Sequence, residues 1–167
     1  RRSDAQKGTP EPGEEVVLLG GDNYRIGMGG GAVSSVNTGQ YAGAIELNAV
    51  QRSNPEMQKR VENVIRTLSE SEDNPIISIH DHGAGGHLNC LSELVETTGG
   101  HFDLSAFPIG DETLSSKEII GNESQERMGL LVKGDAVERI ARIAERERAP
   151  MYVVGRTTDD MHLTFEE

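Results

Sequence analysis

The chain has 167 residues, with 16 basic and 28 acidic side chains, a formal charge of -12 and a single cysteine. That length sustains one well-buried core and little more. The acidic balance excludes nucleic acid and anionic membranes as partners, because both recruit basic surfaces through counterion release.

The lone Cys90 rules out an internal disulfide and fits a reducing compartment, and no apolar run approaches the roughly 20 residues of a membrane span. A cytoplasmic protein is therefore expected. Residues 1–13 read as a polar lead-in or linker without the apolar stretch of a signal peptide, and the fold is expected over 14–167. With no initiating methionine, the chain reads as a piece of something longer.

In chain order, the EVVLL run from Glu15 to Leu19 is short, β-branched and apolar, as a buried strand requires. Asn54 then caps a predicted helix with Pro55 at its first position. Met57, Val61, Val64, Ile65 and Leu68 form its inward stripe, and Glu56 and Arg60 pair on the opposite face. After Asn74-Pro75, Ile76 to Ile79 reads as a second buried strand that delivers His80, Asp81 and His82 at its end.

A glycine turn at 83–86 precedes a helix predicted over Leu88 to Val95, with Leu91, Leu94 and Val95 inward. HFDLSAF from His101 reads as a strand at a sheet edge. Residues 108–124 are too polar on average to enter a core, though a short helix fits Ser116 to Ile120. Met128 to Val132 is a further strand, and Asp135 opens a helix that Pro150 stops. Tyr152 to Val154 and His162 to Phe165 supply the last strands, the latter with Leu163 and Phe165 inward. Strands and helices alternate, but several strands crowd together late in the chain. A mixed sheet with flanking helices, in the α+β class, accommodates both facts better than a doubly wound parallel sheet.

The stretch GGDNYRIGMGGGAVSS, Gly20 to Ser35, holds six glycines in sixteen residues and only two charged groups, Asp22 and Arg25. Consecutive glycine N–H groups suit an anion and Arg25 supplies a planar fork, so Arg25, Gly27, Gly29 and Gly30 are candidate anion-binding residues. Arg52 and Arg127 are further local exceptions to the negative field. A flexible linker is the competing reading, opposed by the interleaved Ile26, Met28, Ala32 and Val33. Gly27, Gly29 and Ala32 satisfy a loose dinucleotide-binding pattern, but the strand ends too early and Glu46 lies at the wrong distance. No G-K-[ST] follows for a phosphate-binding loop.

His80 and His82 share one face of their strand and Asp81 takes the other, so the three do not form one metal shell. A single carboxylate before a glycine turn suits Mg²⁺, which keeps most of its water and shares a phosphate. The equally simple alternative makes Asp81 a cap for the turn's backbone. In NESQER, Asn122 to Arg127, Ser124 and Gln125 offer mixed hydrogen bonds to a polar substrate, Glu123 can hold an amide or amidine, and Arg127 can pair internally. A solvated loop is the alternative there. Cys90 has no base beside it and belongs to the core.

GGDNYRIGMGGGAVSS, QRSNPEMQKR, HDHGAGGHLN, NESQERM and ERERAP occur in one order. With that order and spacing, the chain from about Gly13 to Glu167 resembles the phosphoribosylformylglycinamidine synthase family, glutamine-dependent ligases of purine biosynthesis. In particular it resembles the first C-terminal subdomain of the large single-chain form, a type shared with aminoimidazole ribonucleotide synthetase.

The resemblance implies ATP-dependent conversion of formylglycinamide ribonucleotide to its amidine: the amide oxygen is activated by phosphorylation, and ammonia from glutamine displaces phosphate. It assigns Gln51, Glu123, Ser124 and Gln125 to substrate, Asp81 to magnesium, and ATP as a substrate of the intact enzyme. The family's catalytic histidine, ATP-magnesium carboxylates and glutaminase triad lie in other subdomains. The resemblance thus implies no catalytic residue in this chain, no turnover by it alone, partnership with further subdomains of one polypeptide, and self-association of an uncovered sheet. His82, His87 and Asn122 depart from the family pattern. The rival reading from another class is a stand-alone module that binds a nucleotide or other anion without chemistry.

Overall fold

The structure, a computed structural model, describes residues 6–29, 53–124 and 126–167. Gly30, Gln51, Arg52 and Gln125 lie outside the described residues, as do Ala32 and Val33.

Among the described residues, six strands form one sheet in the order β2-β4-β1-β5-β3-β6. These are β1 (Glu15–Gly20), β2 (Ile76–Asp81), β3 (Gly100–Asp103), β4 (Arg127–Val132), β5 (Met151–Thr157) and β6 (Leu163–Glu166). All neighbours are antiparallel except β3 and β6, which run parallel. The sheet is therefore mixed, with helices α1 (Pro55–Ser69), α2 (Gly86–Leu94), α3 (Ser116–Gly121) and α4 (Val137–Glu147) around it.

The uninterrupted apolarity of β1 has a direct cause. Val16 and Leu18 pack on one side with Cys90, Leu91 and Leu94 of α2 and Ile119 of α3. Val17 and Leu19 pack on the other with Val61, Val64 and Leu68 of α1 and Ile140 and Ala144 of α4. A central strand covered on both faces has no position for a polar side chain, which is why its alternation disappears. Burying each of those four side chains contributes roughly 1.5–3 kcal/mol.

The start of α1 follows its sequence signals. Asn54 Oδ1 accepts the Met57 N–H at 3.1 Å, Pro55 occupies the first turn, and Arg60 pairs with Glu56. The predicted α2 begins two residues earlier than expected, at Gly86. The approach to α4 is a 3₁₀ turn at Gly134–Ala136.

Four expectations are corrected. HFDLSAF is extended only to Asp103 and continues as a 3₁₀ turn, Leu104–Ala106, held by Asp103 Oδ1 accepting from the Ser105 N–H at 2.9 Å. Nor is β3 an edge, because β6 pairs beside it. On β6, Phe165 stacks on Phe102 at 5.2 Å, whereas Leu163 is exposed, since an edge strand of four residues covers only part of the core. The polar stretch 108–124 does enter the core: Leu114, Ile119, Asn122, Glu123 and Ser124 are all buried, the polar ones because their hydrogen bonds are met internally.

The lead-in is joined to the body as well. Gly8 N–H donates to the Ile77 carbonyl at 2.7 Å and Gly13 N–H to the Thr157 carbonyl at 3.0 Å.

Candidate functional site

One end of the sheet gathers the polar motifs. Gly20 of β1 pairs with Arg127 of β4, and Met128 beside it pairs with Asp81 of β2. The loops leaving β1 and β2 and the loop entering β4 therefore meet. Close approach is built into two glycines. Gly27, at φ +66°, would place a Cβ 2.7 Å from the Glu123 carbonyl oxygen, and Gly86, at φ +58°, would place one 2.1 Å from that of Asn122. Any other residue would be both strained and overlapping there.

Arg127 is the buried hub of this end. Its Nε donates to the Ser124 carbonyl at 2.9 Å, and Nη2 donates to the Asn122 carbonyl at 2.5 Å. Nη1 donates to Asn23 Oδ1 and meets His87 Nε2 at 2.7 Å. Burial pulls the guanidinium down to about 9, so it is protonated at neutral pH. Its charge is offset by oriented carbonyl and amide dipoles and no carboxylate is ion-paired to it among the described residues, an arrangement tolerable only because every N–H direction finds an acceptor. The expected internal pairing of Arg127 is thus present.

Asn122 completes the web. Its Nδ2 donates to the carbonyls of Tyr24 and, at 3.3 Å, Ile26, while its Oδ1 accepts the Ser124 N–H at 2.9 Å and the Ser124 hydroxyl. The NESQER segment is consequently a packed junction. The solvated-loop alternative is overturned for Asn122, Glu123 and Ser124.

The two readings of Asp81 also separate. The turn's backbone is capped by Glu123, whose Oε1 accepts the Gly85 N–H at 2.9 Å at the start of α2. The exposed Asp81 carboxylate has no hydrogen bond or ion pair among the described residues. It lines a cleft of about 490 Å³ with Gln58 and Glu62 of α1, His82, Glu126 and Arg127. The cleft is also lined by Val61, Ile65 and Met128, and the exposed carboxylate of Asp81 is a hard-oxygen ligand of the kind Mg²⁺ takes. Among the described residues, no three His, Cys, Asp or Glu side chains are grouped to hold a metal by themselves.

His80 and His82 take different roles. His80 Nε2 lies 2.8 Å from Glu93 of α2 and 3.0 Å from Lys7 Nζ. His82 and His87 are buried, with His82 Nε2 2.8 Å from His87 Nδ1 and the rings edge to face. Burial, then the Arg127 charge, holds His82 down to about 3 and His87 well below its ordinary value, so both are neutral.

The candidate anion residues are placed differently. Arg25 donates to Glu118 and, at 3.2 Å, to both the carbonyl and the hydroxyl of Thr113, with Asp111 at 3.9 Å. Its fork thus faces α3 and the turn before it. Gly27 lies against Glu123, while Gly29 has a positive φ and, among the described residues, nothing within 4 Å of where a Cβ would sit. Sequence reasoning missed Asn23, a fully buried side chain that accepts from Arg127 and donates to the Pro108 carbonyl at 2.8 Å. Its only signal was an asparagine beside the glycines, where turn chemistry is the ordinary explanation.

Glu126 has φ +64° and its Oε1 takes the Asn54 N–H at 3.3 Å, tying the cleft's rim to the cap of α1. A left-handed glutamate costs of order 1 kcal/mol and persists where its surroundings over-determine it.

Fold and site together define a helix-covered sheet domain with its polar loops converging at one end. The chain belongs to the family described as AIR synthase related protein, C-terminal domain, which it matches over residues 11–166. It is 47% identical over 150 residues to the Arabidopsis thaliana "Probable phosphoribosylformylglycinamidine synthase, chloroplastic/mitochondrial", covering 89% of this chain and 11% of that protein. To the Homo sapiens phosphoribosylformylglycinamidine synthase it is 44% identical over 161 residues, covering 95% and 12%. Among solved structures, T. maritima PurL complexed with FGAR superposes with a TM-score of 0.85 at 26% identity, covering 96% of this chain and 27% of that one. PurL complexed with ATP gives 0.74 at 23% identity, covering 96% and 24%, a likeness of fold. The chain therefore spans about an eighth or less of the length of these curated relatives. Among the described residues, no helix is long and apolar enough to cross a membrane.

Proposed function

We propose that the chain, with residues 14–167 as one domain, forms part of an ATP-dependent ligase that converts formylglycinamide ribonucleotide to its amidine with ammonia drawn from glutamine. The observation that carries this reading is the division of labour between two carboxylates: Glu123 caps the glycine turn, and Asp81 lines the cleft with no side-chain hydrogen bond or ion pair among the described residues. A magnesium ion held by Asp81 would supply positive charge to a phosphoryl group of the ligand.

The chain's own residues contribute position. Arg127 and Asn122 fix the loops that carry Glu123 and Ser124, so the substrate meets a rigid wall and loses little free energy to ordering it. Gln51 and Gln125 complete the substrate contacts in this proposal, and the glycine segment at Gly27, Gly29 and Gly30 faces an anionic group. ATP is consumed by the intact enzyme in the cytoplasm. Further subdomains of the same polypeptide supply the catalytic groups, so the chain alone does not turn over.

The test measures ammonia- and glutamine-dependent ADP release in the full-length enzyme. Asp81→Asn and Gln51→Ala are expected to reduce the rate at least about 100-fold; full activity in both variants would overturn the site assignment. A regulatory module would instead bind nucleotide tightly, without magnesium, to the 167-residue chain.

A further inference from the structure

The two outer strands of the sheet are protected differently. β6 is four residues long, three of them exposed, and it carries Thr164 and Glu166. β2 is six residues long, with Ile77 and Ser78 buried and Ile76 and Ile79 packed on the core. Neither proline nor lysine interrupts Ile76–Asp81. An apolar outer strand of this kind offers its backbone groups to any extended segment.

The lead-in occupies that edge. Gly8 N–H donates to the Ile77 carbonyl at 2.7 Å. A Cβ added at Gly8 would stand 3.1 Å from Ile77 Cγ2 and 3.2 Å from the same carbonyl oxygen, so a side chain there pushes the two segments apart. Lys7 Nζ lies 3.0 Å from His80 Nε2, further along β2, so residues 7 and 8 run antiparallel to the strand. Pro10 and Pro12 follow, and neither has an N–H with which to extend a ladder. The segment closes one edge without presenting another.

Its two ends are held unequally. Gly13 N–H donates to the Thr157 carbonyl at 3.0 Å, Glu14 N–H to Thr157 Oγ1 at 2.9 Å, and Thr157 Oγ1 to the Glu11 carbonyl at 2.6 Å. Thr157 itself is buried. At β2, among the described residues, the segment has one backbone bond and one exposed side-chain contact. Local opening therefore starts at Gly8 while Thr157 keeps its hold.

We infer that residues 6–13 are an edge guard over a self-complementary interaction surface: when the guard lifts at Gly8, β2 pairs antiparallel with the β2 of a second copy of this chain. The Ile77 carbonyl points away from β4, and the alternation of the ladder turns Ile79 and Asp81 the same way. With a two-fold axis through Ser78 or Ile79, Asp81 comes opposite Pro75 or Ile77 of the second copy, so the two carboxylates stay apart. Such a pair is closed, because each copy's β2 edge is covered by the other. This inference is independent of the reading of Asp81 as a magnesium ligand.

Sedimentation velocity of the 167-residue chain over a series of concentrations tests it. Gly8→Pro removes the donor to Ile77, and Lys7→Glu sets a carboxylate toward Glu93, whose Oε2 lies 2.8 Å from the same His80 nitrogen. Both positions are exposed and outside β2, so Lys7→Glu carries the test if Gly8→Pro does not fold. Wild type is expected to stay monomeric, and both variants to form dimers with a dissociation constant at least about tenfold lower than that of wild type. Hydrogen exchange is expected to slow in those dimers at the amides of residues 76–81 and to be unchanged at 163–166. Monomers in both variants at every concentration overturn the inference, as do wild-type chains that associate equally strongly, open-ended assembly, or slowed exchange at β6 in place of β2.

Discussion

Gly85 donates its N–H to Glu123 Oε1 across 2.9 Å and 38 residues of chain, so the first turn of α2 is capped by a carboxylate from another loop. Gly85 itself offers no side chain for the task. The bond fastens the glycine turn to the junction before β4. Glu123→Ala would leave a part-buried N–H unmatched, at a cost of roughly 1–3 kcal/mol. Thermal denaturation should show a fall of about 2–10 °C, with Glu123→Gln, which keeps an acceptor oxygen, losing less. Equal losses in both would show that the acceptor is not what matters.

Gly86→Ala is expected to be far more damaging. The new Cβ would meet the Asn122 carbonyl oxygen at 2.1 Å in a left-handed backbone. Separating them means moving the loop that Arg127 holds through its bond to the same oxygen. A loss of about 3 kcal/mol or more is expected in urea titration. Wild-type stability in this variant would contradict the packed junction.

Folding stability should fall as pH drops below the ordinary histidine range. The folded-state values of His87 and His82 are depressed, the latter to about 3, so the unfolded chain binds more protons once the pH is below about 6.5. Their contribution is present above that value and is lost as pH falls toward the folded-state values. Each extra proton gives a slope of up to about 1.4 kcal/mol per pH unit. Urea midpoints at pH 7, 6 and 5 measure it, and His87→Asn should flatten the dependence. A pH-independent His87→Leu difference from wild type would refute the linkage.

Cys90 is expected to be chemically silent in the folded chain. Burial raises its thiol to about 12, and its Sγ lies against Gly129, where an added Cβ would be only 2.5 Å away. Iodoacetamide at pH 8 should modify it only after urea is added. Rapid labelling of the native chain would place the thiol elsewhere.

Legibility followed the range of the interactions. The Asn54 cap and the α1 stripe depend on neighbours within a turn or two, and both could be read directly. The strand at β1 was equally plain, because burial on two faces removes polar residues from it. By contrast, β3 was mistaken for an edge because its cover, β6, comes some sixty residues later and contributes four residues. Averaging hydropathy over 108–124 hid Leu114 and Ile119 among polar residues whose partners are distant. In the site, Arg127 could be expected to pair internally, but Asn23 and the two histidines acquire their roles only when three loops meet. Asp81 could be singled out from its turn, but that Glu123 accepts the turn's Gly85 N–H is visible only in the fold.

The placement of β1 also sets a timetable for synthesis. Its two partners, β4 and β5, come near the other end of the chain, and Glu14 donates its N–H to Thr157 Oγ1 across 143 residues. At ribosomal speeds of roughly 5–20 residues per second, the nascent strand waits on the order of 10–30 s for those neighbours. During that interval Val16 to Leu19 is an unpaired apolar segment with both faces bare. The middle of the sheet therefore cannot close until β4 and β5 have emerged, and a chaperone's best opportunity comes before then.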